Sequence, residues 1–238
     1  MTEKDRGRWR IGALVPFTNT NLEPDLVRLK PAGASVHFAR LGGYDVDEIP
    51  DEAQMAGLGM ADLEGPLALL AGVRPHVVLY GCTSATLSLG RAFDRELAAR
   101  IETGMGVPTV TAAGAVLAAL ERRGLRRIGF ASPYVASLND RAIAFLAEAG
   151  VETVSRADIG TDLGNYGQSA LTPAEVLELG LRADAPAAEA LVLSCTDMRS
   201  VEAAAALEAR TGKPVITSNG AMMDAALTHL AGSARLGA

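Results

Sequence analysis

"VLYGCTSATLSLG", residues 78–90, carries an apolar run into a glycine and a cysteine, then into small hydroxyl residues that open a helical pattern. The chain holds two cysteines. The other lies in "ALVLSCTDMRS", residues 190–200, again Cys-Thr after an apolar run and before a helical one. Working outward, β-rich runs recur at 10–16, 35–41, 76–82, 107–112, 127–133, 151–157, 190–195 and 214–218. Ala/Leu-rich segments with helical spacing lie between them: "FDRELAARIE", "AGAVLAALERRG", "DRAIAFLAEAG", "PAEVLELGLRA", "SVEAAAALEAR" and "GAMMDAALTHL". Thr172-Pro173-Ala174-Glu175 supplies an N-cap, a proline at the first helical position and a capping-box glutamate, and Gly124, Gly150 and Gly212 stand where C-terminal caps belong. Continuous apolar strands alternating with helices predict an α/β protein whose parallel sheets are covered on both faces.

The two halves repeat. "RIGALVP" matches "RIGFASP", "VVLYGCTSA" matches "LVLSCTDM", and "GVPTVTAAGAVLAAL" matches "GKPVITSNGAMMDAAL", in the same order. Three ordered matches indicate an internal duplication with loops shortened in the second half, which surface loops tolerate. The expected fold is two similar, pseudo-symmetric lobes, with residues 1–106 plus the C-terminal helix 219–238 in the first and 107–218 in the second. The active site is expected in the cleft between them.

Composition narrows the function. A formal charge of −6 and 4% aromatic residues offer neither the basic face nor the stacking rings of a nucleic-acid binder. The longest charge-free stretch, "TGMGVPTVTAAGAVLAAL", is broken by glycines, Pro108 and threonines, so it reads as a strand and helix rather than a membrane span. The charged start "MTEKDRGRWR" lacks a signal-peptide core, which makes the cytoplasm the expected compartment. His37, His76 and His229 have no ligand spacing with either cysteine, so no metal is expected. "LGGYD" (41–45) lacks the glycine frame of a nucleotide loop.

Ligands of open parallel sheets bind beyond the carboxyl ends of the strands, where Cys82 and Cys195 both fall. A cysteine closing an apolar strand is commonly a small buried hydrophobe. Two in matched positions, each followed by threonine, point instead to thiols approaching one substrate from opposite sides. A helix N-terminus at each sulfur is expected to lower its pKa toward neutrality.

The chain resembles the maleate cis-trans isomerase and arylmalonate decarboxylase family of the aspartate/glutamate racemase superfamily, over roughly residues 9–230. The resemblance rests on "VPFTNT", "YGCTSA", "ASPY", "GNYGQSALTP" and "LSCTDMRS". It implies lobes built on four-stranded, flavodoxin-like parallel sheets, catalytic Cys82 and Cys195, and no cofactor. For the substrate it implies contacts from Asn19, Tyr134 and Asn165, with hydroxyls of Thr83, Ser84 and Thr196 as further candidate donors. The decarboxylases of this family carry glycine at the first cysteine position, whereas maleate isomerases keep both cysteines and both asparagines, as here. Phe17 stands where serine is usual. Arg199 reads as an exposed first-turn residue.

The reading that follows is a cofactor-independent cis-trans isomerase of a small dicarboxylate, maleate to fumarate, through addition of a cysteine thiolate. A two-cysteine racemase or epimerase of an aspartate-type amino acid is the alternative, ahead of a decarboxylase or a non-catalytic small-ligand binding protein. The expected partner is a small carboxylate or dicarboxylate, with no nucleic acid and no membrane; association of copies stays open. Residues 42–60, rich in Asp, Gly and Met, are read as a cover over the site.

Overall fold

A computed structural model describes residues 9–42, 62–161, 163–164 and 166–236, the last four of these by backbone only. Among the described residues, eight strands form two separate sheets. The first holds β1 (Trp9–Pro16), β2 (Ala34–Leu41), β3 (Val77–Tyr80) and β4 (Thr109–Thr111) in the order β2-β1-β3-β4. The second holds β5 (Arg127–Ala131), β6 (Glu152–Ala157), β7 (Ala190–Leu193) and β8 (Val215–Thr217) in the equivalent order β6-β5-β7-β8. All pairings are parallel. This is the flavodoxin-like order, realised twice, and the strand expected at each of the eight positions is present.

The lobe boundary expected between 106 and 107 needs one correction. Thr109–Thr111 pairs with β3, so it completes the first sheet rather than opening the second. The repeat explains why: 107–112 is the counterpart of 214–218, and each is the fourth strand of its own unit.

The helices among the described residues are α1 (Leu22–Leu29), α2 (Glu64–Ala71), α3 (Thr83–Met105), α4 (Ala112–Arg122), α5 (Ala136–Ala147), α6 (Gly167–Ala170), α7 (Pro173–Arg182), α8 (Ser200–Thr211) and α9 (Ser218–Leu236). The capping box at Thr172 is formed as read, and Gly124, Gly150 and Gly212 all take positive φ. None of the described helices is long and apolar enough to cross a membrane.

Strand alternation sorts the core into layers. Ile11, Ala13, Val15, Val77 and Leu79 from the first sheet share one cluster with Ile128, Phe130, Ala190, Val192 and Ile216 from the second. Helices α4 and α9, which make extensive contact with each other, supply its centre through Val116, Leu120, Met222, Ala226 and Leu230. The intervening strand residues face outward: Leu14, Val78 and Tyr80 meet α2 and α3, whereas Leu191 and Leu193 meet α7 and α8. Helix α9 leaves the second sheet at β8 and packs on α1, β3 and β4 of the first. The lobes therefore share a core.

Candidate active site

Strand β3 ends at Tyr80, and Gly81 then threads a gap that admits no side chain. A Cβ there would stand 2.2 Å from Leu22 Cδ2 and 2.8 Å from the Leu14 carbonyl oxygen. The Gly81 N–H donates to that same oxygen at 2.9 Å, extending the β1 pairing by one residue. The chain then releases Cys82 in an extended conformation (φ −128, ψ 104) as the N-cap residue of α3. Its sulfur lies 3.6 Å from Ser84 Oγ, with the Ser84 and Ala85 N–H groups directed at it.

Cys195 occupies the equivalent point, two residues past the end of β7, but no helix begins until Ser200. Its sulfur accepts from the Asp197 N–H at 3.3 Å and from the Tyr134 hydroxyl at 3.1 Å. Tyr134 sits where the two halves meet, packing against the outer cluster that contains Cys82 and against the one that contains Cys195. Burial pushes the Tyr134 hydroxyl well above its ordinary pKa, and nearby Ser84 offsets this slightly. The charges of both thiols act on Tyr134, and that of Cys82 acts on Cys195, so the three groups form one electrostatic unit.

The thiol pKa values run opposite to the expectation. Neither cysteine forms a disulfide, and both are buried, Cys82 3% and Cys195 1% exposed. Burial pushes the Cys82 thiol up, and the Ser84 and N-terminal helix donors only partly offset it. Cys195 is pushed up to about 12, first by burial and then by the Asp197 carboxylate beside it. Removal of water costs a thiolate more than one turn of helix returns.

The remaining expected residues divide. Asn19 is buried at the joint between the halves: its Oδ1 accepts from the Asn21 and Leu22 N–H groups at 3.1 and 2.9 Å, thereby starting α1. Its Nδ2 donates to Thr196 Oγ1 at 3.1 Å. Thr196 in turn donates to the Gly81 carbonyl at 2.9 Å, so its hydroxyl hydrogen is committed to joining the lobes. Thr83 Oγ1 likewise donates to Ser218 Oγ at 3.3 Å. Neither threonine is the helix N-cap residue, since that place belongs to Cys82 in α3 and to Arg199 in α8. Arg199 pairs with Glu202, as an ordinary first-turn residue does. Phe17 is half-buried against the cluster that holds Cys82. Asn165, and all but residue 42 of the segment 42–60, lie outside the described residues.

One residue escaped the sequence reading. Asp197 is 9% exposed, and its Oδ1 accepts from the Thr20 and Asn21 N–H groups at 2.9 and 3.0 Å, linking the loop after β7 to the loop after β1. Burial raises its pKa to about 6 against these donors. The signal was available: Asp197 stands two residues past Cys195 as Ser84 stands two past Cys82. Both positions contact the sulfur.

Comparison with known proteins accords with this geometry. Maleate isomerase from Pseudomonas putida KT2440 is 26% identical over 218 residues, covering 88% of this chain and 87% of that protein. Arylmalonate decarboxylase from Bordetella bronchiseptica is 30% identical over 184 residues, 72% of this chain and 76% of that one. Among solved structures, maleate isomerase Iso from Pseudomonas putida S16 superposes with a TM-score of 0.84 at 24% identity, over 93% of this chain and 92% of the other. The Nocardia farcinica maleate cis-trans isomerase, in a variant with a covalently bound succinylcysteine intermediate, gives the same TM-score of 0.84 at 22% identity over 93% and 92%. The profile of the family described as arylmalonate decarboxylase matches residues 12–236. With that match spanning both sheets and both cysteines, the chain belongs to the arylmalonate decarboxylase (Amdase) family.

Proposed function

We propose that this protein is a cofactor-independent cis-trans isomerase that converts maleate, or a close cis-enedioate, to the trans isomer through Cys82. The observation that carries the reading is the convergence of two buried thiols, neither in a disulfide, on one tyrosine, with hydroxyl and N–H donors gathered beside them. Its relatives support it, since three of the four curated proteins it matches are maleate isomerases.

In this mechanism the Cys82 thiolate forms a C–S bond to one olefinic carbon. The π pair moves onto the neighbouring carbon and its carboxylate, giving an enediolate. The former double bond is now single and rotates, which relieves the repulsion of two carboxylates held on one side. Return of the electron pair breaks the C–S bond and releases the trans product with the thiolate restored. The covalent adduct divides one prohibitive barrier into two lower ones.

Charge accumulates on a carboxylate during addition, so fixed donors aimed there lower the barrier, each by about 3 kcal/mol. Ser84 and Tyr134 fit this part best, with Asn19, whose amide group retains a second hydrogen. Thr83 and Thr196 act through the backbone geometry they hold. Cys195, kept protonated by its surroundings, faces the adduct as a neutral donor. A burial that opposes free thiolate also strips the sulfur of water, which leaves the anion more nucleophilic once formed.

The test is maleate added to the purified protein, followed by proton NMR. Appearance of the fumarate olefinic signal, and its loss in Cys82→Ala at unchanged circular dichroism, is the expected result. Release of carbon dioxide from an arylmalonate by the same sample, without isomerisation, would replace this reading with decarboxylation. Exchange of an amino acid's α-proton with heavy water would replace it with racemisation.

A further inference from the structure

The peptide unit between Thr196 and Asp197 is held at both ends. Its N–H donates to the Cys195 sulfur at 3.3 Å, and its carbonyl oxygen accepts from Asn219 Nδ2 at 3.1 Å. The same Nδ2 donates to Asp25 Oδ2 at 2.8 Å. Asp25 and Asn219 are both buried. Two acceptors face one amide group, so its NH2 end must point at them. A trans peptide directs its N–H and its C=O to opposite sides, and no described peptide bond is cis. Fixing the oxygen therefore aims the N–H. We infer that Asp25 and Asn219 are positioning residues for Cys195: through the Thr196 carbonyl they keep the Asp197 N–H on its sulfur.

The repeat explains why only one half carries this pair. Cys82 is the N-cap residue of α3, so the peptide after it already belongs to a helical turn. Cys195 precedes α8 by several residues, since that helix begins at Ser200, and its following peptide keeps two soft dihedrals on either side. Thr111 and Thr217 each accept from the glycine N–H three residues on, at 3.0 Å, which sets the two halves in register. In that register Asn219 corresponds to Ala113, a buried apolar residue. The amide thus occurs in the half whose helix starts late. Asn219 Oδ1 meets no donor among the described residues. An unmet buried acceptor is costly, so the amide is oriented for its two hydrogens.

Neighbouring bonds hold the side chains on this loop rather than the peptide plane. Thr196 Oγ1 donates to the Gly81 carbonyl, and Asp197 Oδ1 accepts from the Thr20 and Asn21 N–H groups. Burial pushes the Asp25 carboxyl up, and its bond from Asn219 opposes this, as do the charges of Arg28 and Arg199. A proton on Oδ1 would leave Oδ2 an acceptor, so the hold does not depend on the charge of Asp25. The catalytic consequence rests on the function proposed above. When Cys195 lends its S–H to the adduct, negative charge gathers on the sulfur and the Asp197 N–H meets it. That contribution arises after substrate is bound, so it falls on kcat rather than on KM.

The experiment follows amide hydrogen exchange by NMR in the substrate-free protein, and maleate turnover in the same samples. Asn219→Ala should speed exchange of the Asp197 N–H about tenfold, the worth of one hydrogen bond. The Ser194 N–H, bonded at 2.9 Å to the Ala131 carbonyl in the second sheet, should stay protected. In turnover, kcat should fall by a similar factor with KM unchanged. Asp25→Ala should loosen Asp197 less than Asn219→Ala does, and Asp25→Asn, which keeps an acceptor for Asn219, should restore the protection. The double alanine variant should be no worse than Asn219→Ala, because Asp25 acts through Asn219. Equal loosening of Ser194 and Asp197, or two effects that add, overturns the assignment. Should Asn219→Ala fail to fold, the wild-type protein serves: an Asp197 N–H exchanging as fast as an exposed loop amide overturns it, and a protected one supports it. An unchanged kcat with Asp197 loosened overturns the catalytic consequence. Absence of maleate turnover in the wild type, with the exchange pattern as expected, defeats the proposed function and leaves the positioning standing.

Discussion

Two residues past each cysteine the halves diverge, Ser84 beside Cys82 and Asp197 beside Cys195. Asp197 carries a stability consequence. Its pKa rises from 3.8 to about 6 on burial, so between those values the folded chain binds more protons than the unfolded one. Stability must then fall as pH rises from 4 to 6, by about 3 kcal/mol for a shift of this size. Asp197→Asn keeps an acceptor for the Thr20 and Asn21 N–H groups and removes the titration. Urea unfolding at several pH values should show that part of the slope missing, with the variant the more stable protein at pH 7. Gly81→Ala should cost about 1–3 kcal/mol, because the added carbon meets Leu22 and a backbone oxygen in a packed interior. The sequence pointed to both sulfurs, since the repeat marks them. It misled on their ionisation, because a helix N-terminus is visible in a sequence and the depth of burial is not. Asp197 was missed for a related reason: its carboxylate meets Thr20 and Asn21, which lie far away along the chain.

At the scale of elements, helix α3 is interrupted. Gly90, with φ 82 and ψ 175, separates the turns that follow Cys82 from the longer stretch ending at Met105. This backbone conformation is essentially restricted to glycine, so Gly90→Ala should cost about 1–3 kcal/mol in the same unfolding assay. The break lets Thr83–Leu89 hold Ser84 toward Tyr134 while Leu97 and Ile101 pack independently under the first sheet. Replacing Thr172 by alanine, which removes half of the α7 capping box, should cost about 1 kcal/mol. Strands and capped helices were legible because their signals are local: apolar runs, a Thr-Pro-x-Glu start, a glycine stop. Helix α1 was not. Its first turn holds Pro24, and the group that satisfies its leading N–H groups is the Asn19 side chain, outside the helix and itself held by Thr196. The helix after Cys82 was read, but its break at Gly90 was not.

For the molecule as a whole, the shared core decides how it unfolds. Residues of both sheets meet in one cluster around α4 and α9, and α9 completes the packing of the first lobe although it follows the last strand of the second. Circular dichroism and tyrosine fluorescence should therefore report one coincident transition rather than two. Residues 1–122 and 123–238, expressed apart, should each be insoluble and should recover a folded complex when co-expressed. Two independently soluble halves would show that the crossing of α9 is dispensable. The repeat made the duplication readable, but not the crossing of α9, which depends on contacts no periodicity records.

The unequal neighbours of the two sulfurs have a consequence for stereochemistry. A pair of identical subunits would offer a flat, symmetric molecule the same group from above and from below, and neither side would be the one that attacks. Covalent fusion frees each half to mutate alone. A single carboxylate, present on one side only, is then enough to give such a reagent a front and a back.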